Sequence, residues 1–291
     1  MTTDPSPKPL TLNDGRTLAF AEYGDPHGKP LFFFHGMPGS RFFRPPDEIT
    51  RQVGVRLITI DRPGYGESSF QPGRRILDWP ANVCALADTL GLHKFAVAGH
   101  SGGGPYALSC AYALPERVTL AAALCGAGPV ETPNATRGME IQNKLGFLYG
   151  RYIPWPLWRL LIWVTYHRKL VPAAAATGHR HTRRPAADEA LMGQLEIREA
   201  CKMSEQEAFR PGLLGFAWDA RLLTRPWGFP LEKVNVPVLL WHGTADNMTP
   251  LPMAEYVAGL LPNCRATFCE GEAHLLVFPH WKEILTQIIT E

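Results

Sequence analysis

Phe95-Ala96-Val97-Ala98-Gly99-His100-Ser101-Gly102-Gly103-Gly104 reads as a short buried strand that runs into a glycine-flanked serine and then into a helix. The run Phe95–Ala98 lacks polar alternation, as a strand covered on both faces requires. A helical stretch from Gly103 to Leu114 follows at once. Gly99 and Gly103 stand two residues before and after Ser101, where side chains on so sharp a turn would collide with neighbouring backbone. The turn sets Ser101 at a helix N-terminus, where backbone N–H groups favour developing negative charge. In this strand–turn–helix context, G-x-S-x-G is the pattern of a nucleophilic serine.

A serine hydroxyl is a weak nucleophile and needs a base, which in turn needs an orienting acid. The order expected on such a scaffold is serine, then acid, then histidine. Downstream, Val238–Trp241 reads as a strand that ends in Gly243-Thr244-Ala245-Asp246-Asn247-Met248-Thr249-Pro250, which offers Asp246 as the acid. The next strand, Cys264 to Cys269, is followed by Gly271-Glu272-Ala273-His274-Leu275, which offers His274 as the base. Glu131, past the strand Val118–Leu124, is the fallback acid. Upstream, His35-Gly36-Met37-Pro38-Gly39-Ser40 follows another strand and can aim a backbone N–H at a substrate carbonyl. The expected oxyanion hole is the N–H of Met37 with that of Gly102. His35 and His100 flank these loops and are expected to shape them, and His242 to close its strand.

Further outward, Leu10 and Leu12 lead into Asn13-Asp14-Gly15 and Leu18 and Phe20 lead out, as in a β-hairpin. Other buried-strand runs are Leu31–Phe34, Val55–Ile60 and Val236–Trp241, with helical stretches at Trp79–Leu90 and Pro252–Leu261. Strands alternating with helices predict an α/β fold with a mostly parallel sheet, whose function collects at the carboxyl ends of the strands. The rhythm breaks over residues 130–228, where helical patterns carry Phe147, Tyr149, Tyr152, Trp155, Trp158, Trp163 and Tyr166. The predicted division is a core of residues 1–129 and 229–291 with a helical insertion at 130–228.

Composition bounds the function. The 291 residues fit one large domain or two modest ones. With 45% hydrophobic residues there is ample material for a core, and disorder is excluded. A net charge of +2 gives no reason to expect nucleic acid as a partner. The basic run His179-Arg180-His181-Thr182-Arg183-Arg184 lacks interleaved aromatics and reads as a solvated loop. Met1 to Lys8 lacks a secretory pattern, and no run reaches the roughly 18 apolar residues of a membrane span. Six cysteines without a C-x-x-C pair give no metal spacing and read as reduced thiols, so a cytoplasmic location is expected.

Taken with Asp61-Arg62-Pro63-Gly64-Tyr65-Gly66-Glu67-Ser68, these motifs make the chain resemble the α/β-hydrolase fold superfamily, in its capped, serine esterase-like form. The resemblance implies that 130–228 is a cap or lid, that 61–68 is a structural turn near the mouth of the site, and that no metal or organic cofactor is needed. Relatives that open epoxides or cleave carbon–halogen bonds carry aspartate where Ser101 stands. Prolyl aminopeptidases usually carry Trp, and many esterases Met, where this chain has Gly102. The expected activity is therefore cleavage of small-molecule carboxylic esters with apolar acyl or aryl groups, through an acyl-enzyme. Carbon–carbon bond hydrolysis or another acyl transfer on the same triad is the alternative, and a low-turnover small-molecule receptor is a second. The cap aromatics Trp155 and Trp158, with Gly36, are candidate substrate contacts. From Glu131 to Pro226 there are 14 Lys and Arg against 9 Asp and Glu, a basic balance that could steer anionic substrates.

Overall fold

A computed structural model describes residues 8–170 and 184–290. The basic run at 179–183 and the first seven residues lie outside them. The hairpin forms as expected from β1 (Lys8–Thr11) and β2 (Thr17–Gly24). Six further strands follow: β3 (Lys29–Phe34), β4 (Val55–Ile60), β5 (Phe95–His100), β6 (Val118–Leu124), β7 (Val238–Gly243) and β8 (Cys264–Cys269). They join one eight-stranded sheet in the order β1-β2-β4-β3-β5-β6-β7-β8. Only the β1–β2 and β2–β4 pairings are antiparallel.

Alternation along each strand divides the core in two. Phe32, Phe34, Ile58, Ile60 and Val97 pack on one face against α2 (Trp79–Thr89), α3 (Gly104–Ala113) and α9 (Leu251–Leu260). Leu31, Phe33, Leu57, Ala98 and Trp241 pack on the other against α1 (Asp47–Gln52) and α10 (Trp281–Thr290). The Trp281 indole donates to Thr50 Oγ1 at 2.9 Å and ties α10 to α1. All six cysteines are free thiols. Among the described residues, no helix is long and apolar enough to cross a membrane.

Between β6 and β7 the described residues form five α-helices: α4 (Ile141–Tyr149), α5 (Trp155–Leu170), α6 (Ala186–Gly193), α7 (Leu195–Ala208) and α8 (Leu214–Leu223). Two of them are tied to the core by buried charge. Asp219 of α8 lies 2.8 Å from Arg62, is paired with Arg74, and accepts from Tyr106 Oη at 2.7 Å. Arg41, itself paired with Asp61, reaches Glu207 of α7 at 2.9 Å. The 61–68 segment is thus a structural hub: Asp61 Oδ1 accepts from Arg41 N at 2.7 Å, and its carbonyl accepts from Ser68 Oγ at 2.7 Å.

The chain runs from β3 outward to β4, then crosses back to β5 on the other side of β3. This reversal makes the carboxyl ends of β3 and β5 the topological switch point of the sheet, the place where open α/β sheets bind ligands. The two loops that leave these ends are 35–40 and 99–103.

Candidate active site

Ser101 adopts φ of +54°, a left-handed conformation that costs a non-glycine residue about 1–3 kcal/mol. A single 3-10 turn, Ser101–Gly103, leads into α3. The flanking glycines are sterically required. A Cβ on Gly99 would stand 2.1 Å from the Gly103 carbonyl oxygen, and one on Gly103 would stand 2.2 Å from that of Phe34. Both obstacles are backbone, which cannot rotate away. We therefore expect Gly103→Ala to lower stability by at least about 1–3 kcal/mol in denaturant melts, with loss of the soluble fraction as a second readout.

The loop after β3 lies against this turn. A Cβ on Gly36 would meet Ser101 Cβ at 3.2 Å and Oγ at 3.6 Å. One on Gly102 would meet Met37 Cβ at 3.1 Å, Leu223 Cδ1 at 3.2 Å and Met37 N at 3.7 Å. The absence of both side chains leaves space beside the hydroxyl. Arg62, fully buried, holds the loop by donating to the carbonyls of His35 and Gly36. His35 Nδ1 donates to the Gly36 carbonyl at 2.8 Å, and its Nε2 accepts from Arg62 N at 3.2 Å. Burial and the Arg62 charge keep this imidazole neutral, so it shapes the loop, as expected.

Asp246 and His274 follow adjacent parallel strands, β7 and β8, and meet at a buried contact: His274 Nδ1 donates to Asp246 Oδ2 at 2.7 Å. Asp246 Oδ1 accepts from the N–H groups of Met248 at 2.8 Å and Thr249 at 3.0 Å. The Thr249 hydroxyl lies 2.9 Å from Oδ2. Burial pushes the Asp246 carboxyl up, but His274 and these donors hold it well below the usual carboxylate range. Burial works against the His274 cation, yet the Asp246 charge, with a smaller contribution from Asp188, raises it above the ordinary imidazole value. Glu131, the fallback acid, is solvent-exposed.

His100, the residue before Ser101, donates from Nε2 to the His274 carbonyl at 2.9 Å, and the two rings are 4.9 Å apart. Burial and the His274 charge depress it to about 3, so it is a neutral brace between the serine turn and the histidine loop. Among the described residues, His274 Nδ1 is bonded to Asp246 and no hydrogen bond joins the Ser101 hydroxyl to His274. Open serine–base geometry is common without substrate. His242, at the end of β7, donates to the Thr249 carbonyl at 2.7 Å. Cys125, His242 and Asp246 converge within 4.8 Å. The carboxylate's contacts are already committed to four protein groups, which argues against a metal there.

Sequence reading missed Asp188. This buried carboxylate on α6 accepts from the backbone N–H of Leu275 at 2.8 Å and of His274 at 3.3 Å. The candidate contact Trp158 is buried, donates its indole N–H to the Ala217 carbonyl at 2.8 Å, and forms with Ala217 and Ala220 a cluster against which Met37 packs. Trp155 is half-buried, edge-on to Trp218 with ring centroids 4.8 Å apart.

This sheet, its switch point and a serine elbow on the loop preceding α3, with an Asp–His pair on the loops after β7 and β8, define an α/β-hydrolase fold protein. The family model for the alpha/beta hydrolase fold matches residues 29–280, and the chain belongs to that family. It is similar to a non-heme chloroperoxidase of Streptomyces lividans, 26% identical over 93% of this chain and 94% of the relative. A bifunctional esterase/perhydrolase of Acinetobacter calcoaceticus is 24% identical over 84% of each chain. Among solved structures, an esterase from Exiguobacterium antarcticum superposes with a TM-score of 0.68 over 98% of both chains at 19% identity.

Proposed function

We propose that the protein is a serine hydrolase of carboxylic esters, with α4–α8 as a cap over the core. The observation that carries this reading is the buried 2.7 Å His274–Asp246 pair, on a loop braced by the residue next to Ser101. In the proposed reaction, Ser101 Oγ attacks the acyl carbonyl as His274 Nε2 takes its proton. Asp246 fixes the tautomer and stabilises the imidazolium. The N–H groups of Met37 and Gly102 receive the oxyanion, each contributing about 2.7–4 kcal/mol. The imidazolium then protonates the leaving alcohol. Water, deprotonated by His274, attacks the acyl-enzyme, and collapse returns the proton to Ser101 and releases the acid. Met37 and Leu223, around the gap left by Gly102, make an apolar floor for the acyl group. Trp158 lies in the cluster against which Met37 packs, and Trp155 and Gly36 are left as the direct substrate contacts proposed from sequence.

The test is a panel of nitrophenyl esters and lactones of graded acyl length, run before and after treatment with a fluorophosphonate. Turnover that ends with one adduct on Ser101 is the expected result. Ester turnover that survives a complete Ser101 adduct would overturn it. A diketone consumed while esters are not would favour carbon–carbon cleavage. Ligand binding with neither would favour a receptor. The resemblance to a chloroperoxidase and a perhydrolase favours one further activity, in which hydrogen peroxide replaces water at the acyl-enzyme and the product is a peracid.

Asp188 gives this reading a pH signature. Its charge adds to that of Asp246 in favouring the His274 cation, and His274 must be neutral to accept the serine proton. Activity therefore falls as pH drops through a His274 pKa that lies above the ordinary 6.5. Asp188→Asn removes the charge and keeps a carbonyl acceptor. We expect the acidic limb of kcat/KM to move to lower pH; a profile that stays in place would show that Asp188 acts only through loop geometry.

A further inference from the structure

An amphipathic helix normally turns its apolar stripe inward. In α4 the stripe faces solvent: Ile141, Leu145, Leu148 and Tyr149, spaced i, i+4, i+7 and i+8, are 61%, 52%, 39% and 56% exposed. The next helix repeats the arrangement. Leu157, Leu160 and Leu161 of α5 lie on its outer side at 58%, 56% and 43% exposure, while Trp158 on the inner side is buried. At the connection between the helices, the Arg151 guanidinium lies over the exposed Tyr152 ring, 4.6 Å from its centroid. From Ile141 to Tyr166 the chain carries Lys144, Arg151 and Arg159 and neither Asp nor Glu. Beside the α5 stripe, a groove of about 490 Å³ opens between Leu160 and Trp163 on one side and Leu213 and Leu214 on the other, with Arg159 among its lining residues.

Solvent-facing apolar stripes on two consecutive helices, with a groove beside the second, mark an interaction site. Exposed leucines and aromatics on a stretch whose charged residues from 141 to 166 are all cations match the physics of the lipid–water interface. Aliphatic side chains enter the acyl boundary, aromatic rings sit at headgroup depth, and Lys and Arg stems reach back to phosphate. We propose that the outer faces of α4 and α5 dock on an anionic lipid bilayer surface, with the groove receiving an acyl chain. Trp158, on the other side of α5 from its leucine stripe, belongs to the buried cluster against which Met37 packs. Docking would therefore bring apolar molecules dissolved in the bilayer close to the Ser101 turn. The binding itself does not depend on the hydrolase reading.

The test is co-flotation of the full chain with phosphatidylglycerol-rich vesicles and with phosphatidylcholine vesicles. Binding to the anionic vesicles is expected to exceed that to the neutral ones by about tenfold or more and to weaken as salt is raised. The variant Leu145→Ser/Leu157→Ser/Leu160→Ser should lose the binding, and Lys144→Gln/Arg159→Gln should lose its salt dependence. Both should keep the wild-type melting temperature, because all five side chains lie on or border the outer surface. Failure of the wild type to float, or flotation unchanged in the leucine variant, would overturn the proposal. So would sedimentation of the wild type as a dimer that the leucine variant splits, with no vesicle binding, since a second copy would then be the occupant. Flotation is read without turnover. Hydrolysis of a short soluble ester, measured alongside, reports on the Ser101 reading separately.

Discussion

Replacing Ser101 by alanine should lower kcat for the best ester of the panel by about 10⁶-fold, to the level left by binding and the oxyanion donors alone. In the proposed reaction the variant removes the atom that becomes covalently bonded; the nearby imidazoles of His35 and His100 are both held neutral by burial, and each has a ring nitrogen on a backbone carbonyl. His274→Ala should cost about as much, and the double variant little more than either, because the proposed nucleophile and base would act as one unit. Asp246→Asn should lose about 10⁴-fold, since the amide imposes the wrong tautomer on His274. Single-turnover kinetics with a nitrophenyl ester measure all four. Equal rates for wild type and Ser101→Ala would remove the serine from the reaction.

The second large effect concerns folding. Asp219 is buried with two guanidinium groups and a phenol hydroxyl on its carboxylate. Its burial pushes the carboxyl up, but Arg74 and Arg62 overcome this and hold it far below the ordinary range. Asp219→Ala leaves both arginines buried without their counter-charge, and removing one partner of a buried pair costs about 3–5 kcal/mol. At about 2–4 °C per kcal/mol for a chain of this size class, the melting temperature should fall by roughly 6–20 °C. The sign of the pH dependence follows from the depressed pKa. The stabilisation is complete above the unfolded carboxylate pKa of about 3.9 and is lost as pH falls toward the lower folded value. Wild type should therefore lose stability on acidification below about pH 4 through this site, and Asp219→Ala should lack that component. A variant that melts with wild type would show the cluster to be dispensable.

The legible part of the molecule was the part written in local pattern. Gly99 and Gly103 mark the elbow because steric exclusion acts at fixed offsets from Ser101, and the Phe-rich run of β3 marks itself because parallel strands are apolar on both faces. Asp246 and His274 could be found because each follows a readable strand. Two helices escaped notice. The six residues of α1 are too few to establish a period. In α10, Trp281, Ile284, Leu285 and Ile288 do carry the i, i+3, i+4, i+7 signature, so that signal was present and unread. Asp188 and Asp219 were not readable at all. Each sits in a helix where an acidic residue ordinarily faces solvent, and its partners lie 86–87 residues away for Asp188 and 113–157 for Asp219. Buried charge pairing has no sequence period; only the closed fold reveals it.

The five helices between β6 and β7 are held to the core unequally. Glu207, Asp219 and Asp188 fasten α7, α8 and α6 to Arg41, to Arg62 and Arg74, and to the His274 loop. The stretch 141–166 has no comparable buried ionic clasp among the described residues, and its chief anchor is one tryptophan clustered with Ala217 and Ala220. For diversification this divides the insertion into a chassis and an exchangeable part. If the helices act as the proposed cap, loop and helix grafts at 141–166 that keep Trp158 should change substrate choice while the fold survives, whereas grafts across α8 must carry Asp219 with them.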